Sequence, residues 1–176
     1  MQKVKLSFLY TSIIILCCAN KPAPANDHVK WITLDEAIVK MQKEKKPLLI
    51  DLYTDWCGWC KVMDKKTYSD KRVADYVGDK FYAVKINAET HDKIVWNNKT
   101  YSFNSNYRSN EFAVYLTNGR LEFPTTIFIP EDGNPQAIPG YMTPKDFEPL
   151  VKYFGDDGYG KIPFDEYQKN FKASWK

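Results

Sequence analysis

The chain has 176 residues, 25 of them basic and 22 acidic, for a formal charge of +3, enough for one domain with its own core and a short appendage. Residues 1–25 hold three of the 25 basic residues and none of the 22 acids, so the remainder carries 22 of each and is neutral. A nucleic-acid binder carries a basic excess or stripe; neither is present, and nucleic acid is excluded as a partner.

The chain starts with a short basic stretch, Met1-Gln2-Lys3-Val4-Lys5. Residues 6–19 are apolar apart from Ser7, Thr11 and Ser12. That run is too short to span a bilayer and fits the apolar region of a secretory signal. Ala23-Pro24-Ala25 is a small-x-small cleavage site, which makes Asn26 the expected mature start; cleavage after Ala19 and an uncleaved N-terminal anchor are the alternatives. Cys17 and Cys18 end the apolar run as a lipidated cysteine does, though without the usual small residues before them. The expected location is therefore the periplasm or cell envelope, with membrane anchoring if either cysteine is lipidated.

Of the four cysteines, only Cys57 and Cys60 lie beyond the signal. A structural zinc site built on Cys-x-x-Cys needs a second Cys or His pair. His28 and His91 are single and far apart, so no metal site is expected. A disulfide closing so short a loop stabilises little, which favours redox chemistry over a staple.

After a solvated lead-in at 26–30, Trp31-Ile32 reads as a short edge strand. Thr33 and Glu36 form a capping box for a helix with Leu34, Ala37, Ile38 and Met41 on one face. Residues 48–53 are a buried strand with one acid, Asp51, in its middle, a costly place for a carboxylate. Residues 57–67 read as helix, with Met63 in the core. A second helix is capped by Ser69 or Asp70, and residues 81–87 alternate as a central strand. Residues 88–120 read as an insertion: a small hairpin over 96–101 with a turn in its middle, a short helix over 110–116 and a turn at Asn118-Gly119. Its aromatics are expected to pack on one another, with a partner-facing lip as the alternative. Phe123-Pro124-Thr125 opens a β-branched strand that returns through a turn at 131–134 over 136–138. Thr143-Pro144 looks like a helix start, but Pro149 favours starting the regular helix at Asp146 or kinking it. A loop at 155–160 and a short docked helix over 163–173 close the chain.

Trp56-Cys57-Gly58-Trp59-Cys60-Lys61 follows a strand and opens a helix. Backbone N–H groups there favour a Cys57 thiolate, and the spacing lets Cys60 reach it. With Asp51 upstream, Lys85 in the next strand and Phe123-Pro124-Thr125 later, the chain resembles the thioredoxin family over residues 30–154. The likeness is to its exported single-domain bacterial branch, related to the C-terminal domain of the transmembrane thiol:disulfide interchange protein. The resemblance implies an α/β thioredoxin fold, a central mixed β-sheet flanked by helices; the insertion at about 88–120 before the cis-Pro strand and the additional C-terminal loop and helix over 155–176 depart from the family's pattern. It implies a Cys57–Cys60 disulfide in which Cys57, on the exposed side, is the nucleophile and Cys60 resolves. Asp51 is the expected proton relay and Lys85 its tuner. Pro124 is expected to be cis, against an ordinary trans proline at a strand edge. Trp56, Gly58, Trp59, Phe123, Pro124 and Thr125 are the expected substrate contacts. The implied activity is thiol–disulfide oxidoreduction without a bound cofactor, by a monomer acting on exported disulfide- or thiol-bearing proteins, with electrons from a membrane partner. Gly58-Trp59 departs from the Gly-Pro of strongly reducing thioredoxins, which leaves the direction of electron flow open.

Overall fold

The computed structural model describes residues 28–156 and 158–175. The signal segment, its cleavage site and Cys17 and Cys18 lie outside these residues. The element order is α1 (Leu34–Met41), β1 (Leu48–Tyr53), α2 (Gly58–Met63), a π-helical turn (Asp64–Tyr68), α3 (Lys71–Lys80), β2 (Tyr82–Asn87), β3 (Ile94–Trp96), β4 (Lys99–Tyr101), β5 (Phe103–Asn104), β6 (Ser109–Asn110), α4 (Glu111–Leu116), β7 (Thr125–Ile129), β8 (Gln136–Pro139), α5 (Pro144–Gly155) and α6 (Phe164–Asn170).

Helix α1 starts where its capping box predicts. The Thr33 hydroxyl accepts the Glu36 N–H at 3.1 Å, and Glu36 accepts the Thr33 N–H at 3.0 Å. The main sheet has the order β2-β1-β7-β8, with β1 parallel to β2 and antiparallel to β7. Strand β2 is thus at the sheet's end, not in its centre as its alternation suggested. Alternating burial reports covered faces and says nothing about hydrogen-bonded edges; beyond β2 only Ile32 forms a bridge, to Val84. Successive side chains of β1 face opposite ways. Leu49 joins Met63, Tyr68, Phe128 and Phe147 on one face, whereas Leu48, Ile50 and Leu52 join Ile127 and Phe112 on the other.

The chain before α1 is not a solvated lead-in: Val29 is buried and donates its N–H to the Tyr68 carbonyl at 2.8 Å. Helix α5 begins at Pro144 with Pro149 inside it, not at Asp146. The Thr143–Asp146 capping box and burial of Phe147, Val151 and Phe154 outweigh the one backbone bond that Pro149 forgoes. Between β2 and β7, Asn97 and Asn98 adopt positive φ, as a two-residue hairpin turn requires. Trp96 and Tyr101 flank this turn and pack on Phe112 at 6.2 and 5.2 Å between ring centroids. A second small hairpin, β5–β6, was not anticipated; its Ser109 hydroxyl and Asn110 N–H both donate to the Ala88 carbonyl at 2.7 Å.

No residue of α6 is buried, yet Phe164 and Tyr167 contact Tyr153 with centroids at 5.2 and 5.1 Å. The chain then turns back onto α5, where buried Glu148 accepts the Ser174 N–H at 2.7 Å, the Trp175 N–H at 3.0 Å and the Lys152 ammonium at 2.7 Å. Removing this carboxylate leaves two backbone donors without their acceptor and takes from Lys152 its charged partner, leaving it the Ser174 hydroxyl. Glu148→Ala is expected to lower unfolding stability by about 2–3 kcal/mol in urea titrations; a loss below about 0.5 kcal/mol, as at an ordinary surface site, would show that Glu148 does not hold the tail.

Candidate functional site

Strand β1 ends at Tyr53, and Cys57 caps the helix that follows. Its backbone is extended (φ −69°, ψ 103°) and its sulfur accepts the Cys60 N–H at 3.0 Å. Cys57 and Cys60 form a disulfide with Cα atoms 5.3 Å apart. Cys57 is not on an exposed side in this state: it is 4 % and Cys60 3 % accessible. Two tryptophans of the motif stand out instead, Trp56 at 66 % and Trp59 at 61 %. Trp56 meets Phe123 edge-on at 5.9 Å and Trp59 packs on Tyr141 at 5.4 Å. A side chain at Gly58 would meet open space.

The Trp56–Phe123 contact joins the cysteine motif to the Phe123–Pro124 peptide, which is cis. Thr125 begins β7, buried, its hydroxyl donating to the Glu122 carbonyl at 2.7 Å. Sequence reasoning missed Glu89, whose carboxylate accepts the Trp56 indole N–H at 2.9 Å. Its own N–H is held by Asn87, whose amide donates to Asp55 at 3.1 Å. The available signal was an acid two residues past a strand that ends beside the motif.

Asp51 lies opposite Lys85 on β2 and Thr126 on β7, on the face of β1 that α2 covers through Met63. Lys85 Nζ is 3.2 Å from an Asp51 oxygen and also pairs with Asp64, in the π-helical turn behind α2. Neither Asp51 oxygen accepts a well-aligned hydrogen bond among the described residues. Burial raises the Asp51 pKa from 3.8 to about 6, with Lys85 opposing the rise and Asp64 adding to it. Burial works against the Lys85 ammonium, but Asp51 and Asp64 outweigh it and its pKa is raised. Asp64 also escaped the sequence reading, since only the turn after α2 brings it to Lys85.

The family model described as a thioredoxin-like domain matches residues 34–155. The chain belongs to the thioredoxin-like family. It is 24 % identical over 153 residues to an uncharacterized protein of Caenorhabditis elegans, covering 86 % of this chain and 18 % of that one. It is 44 % identical over 59 residues to the thiol:disulfide interchange protein DsbD of Salmonella typhi, covering 32 % and 10 %. This chain thus spans less than a fifth of the length of these curated relatives. Among solved structures, DsbH oxidoreductase superposes with a TM-score of 0.54 at 15 % identity, covering 78 % of this chain and 92 % of that one, a likeness of fold. Thioredoxin-like membership and a cysteine pair at a helix start together suggest a thiol–disulfide oxidoreductase.

Because the folded pKa of Asp51 is raised from 3.8 to about 6, the folded state holds its proton more tightly than the unfolded chain. This group therefore costs stability as pH climbs from about 4 through 6. Asp51→Asn removes the charge and leaves Lys85 paired with Asp64. Relative to wild type, the variant should gain stability across that window, by up to about 3 kcal/mol at pH 7.5. Urea midpoints at pH 4, 5, 6 and 7.5 measure it; a difference that does not change with pH would contradict the burial argument.

Proposed function

We propose that this chain reduces or isomerises disulfides of exported proteins in the cell envelope through a Cys57/Cys60 dithiol–disulfide cycle. The observation that carries the reading is the Cys57–Cys60 disulfide at the start of α2, joined to the Phe123–Pro124 segment through Trp56. In the reduced protein, the Cys57 thiolate is favoured by the backbone N–H groups at its cap position. It attacks one sulfur of a substrate disulfide, forming a mixed disulfide and releasing the other substrate sulfur as a thiolate. Cys60 then loses its proton and attacks the Cys57 sulfur. The second substrate sulfur leaves as a thiol, and the two electrons of the dithiol have passed to the substrate. Asp51 is the base assigned to the Cys60 proton: with a pKa of about 6 it is largely ionised at neutral pH and close enough in pKa to give the proton back. Lys85 tunes that carboxylate.

Trp56 and Trp59 offer aromatic surface beside the cysteines, while Gly58 leaves room for a substrate chain. The Phe123 N–H and C=O bond to no other group among the described residues, which suits pairing with an extended substrate segment. Resemblance to DsbD supports a membrane donor that returns the electrons, and the basic start with its apolar run supports export. The protein is expected to act as a monomer without a bound cofactor.

Wild-type protein should reduce insulin with dithiothreitol as donor, and Cys57→Ser should fall to the uncatalysed rate; equal rates for the two proteins would exclude the cycle. The reduction potential assigns direction. A value near that of thioredoxin, about −270 mV, fits a reductase, and one near −120 mV would make the protein an oxidant.

A further inference from the structure

Lysines are gathered at one end of the fold. Lys30, Lys40, Lys43 and Lys46 line a cavity of about 420 Å³ against one acid, Glu44, over a floor that includes Ile32 and Phe81. Glu44 itself pairs with Lys46 at 3.3 Å. Helix α1 is polarised along its length, with Asp35 and Glu36 in its first turn and Lys40 in its last. Beside Lys40, Val39 is 53 % exposed.

This end is opposite the cysteines. The cavity lies where α1 finishes and where β1 and the parallel β2 begin, whereas Cys57 follows the other end of β1. Six residues of strand separate the two, a rise of about 20 Å. Acids lie at both ends: Asp55 and Glu89 at the redox end, and Glu131 and Asp132 across Pro47 from the lysines, on the β7 side. The chain also enters from the lysine end. Val29 is tied to Tyr68, and Ile32 runs parallel to β2 at Val84, so the described chain enters the fold on the lysine side.

We propose that this lysine-lined end docks on the anionic phospholipid headgroups of a membrane. The lysines complement anionic headgroups, and Val39 beside them can enter the headgroup layer. Each lysine near such a surface contributes about fivefold in affinity at moderate salt. Docked this way, the Cys57–Cys60 end points away from the bilayer and stays open to substrate. The inference does not depend on the redox reading.

Co-sedimentation of the full chain with phosphatidylglycerol–phosphatidylcholine vesicles, against phosphatidylcholine alone, tests it. Wild type should prefer the anionic vesicles, and raised salt should erase the preference. Lys30→Glu/Lys40→Glu/Lys43→Glu changes only exposed side chains, and circular dichroism checks its fold. It should weaken anionic binding about a hundredfold or more and leave binding to neutral vesicles unchanged. Lys145→Glu/Lys169→Glu/Lys172→Glu makes the same charge change elsewhere and should retain the preference. Equal losses in both variants would reduce the effect to net charge and overturn the proposal. No loss in the first variant would overturn it too, leaving the lysine end to an acidic protein partner.

Discussion

A carboxyl group in the middle of a strand buried from Leu48 to Leu52 is the constraint around which this protein is arranged. Asp51 sits in β1 with sheet neighbours on both sides and α2 above. An isolated charge there is prohibitive, and a single lysine compensates only in part. Lys85 is shared between Asp51 and Asp64, so neither carboxylate holds it alone. The result is a carboxyl group whose pKa burial raises to about 6, on the face of the sheet that α2 covers through Met63.

The rim of the site follows a different logic. The disulfide is almost covered, yet the tryptophans beside it are among the most exposed large side chains described. Trp56 stays in place because Phe123 and Glu89 hold it from two directions. Glu89 lies at the start of the segment between β2 and β7, whose Trp96 and Tyr101 turn inward onto Phe112 while Phe103 stacks on His91 and Tyr107 stays exposed. That segment both packs on itself and places one carboxylate at the rim.

Features governed by neighbours in sequence were readable in advance. The Thr33–Glu36 box, the small hairpin within residues 94–101, the return strand after Gly133 and the Cys57-Gly58-Trp59-Cys60 helix start each depend on a few adjacent residues. The cis peptide at Pro124 was legible through family resemblance, because an X–Pro unit alone permits both isomers. What could not be read depends on distant pairing. The edge position of β2, the burial of Val29 under Tyr68, the grip of Glu148 on Ser174 and Trp175, and the reach of Glu89 to Trp56 are all long-range. The start of α5 is non-local for a related reason: the penalty at Pro149 is visible in sequence, whereas the burial of Phe147, Val151 and Phe154 that outweighs it comes from tertiary packing.

The central claim is that Cys57 attacks substrate and Cys60 releases it. Cys60→Ala, expressed in cells and acid-quenched before non-reducing electrophoresis, tests this most directly. The account predicts mixed disulfides between Cys57 and exported proteins, discharged by dithiothreitol and absent from Cys57→Ala/Cys60→Ala. Absence of adducts from Cys60→Ala, or their persistence in the double variant, would contradict it.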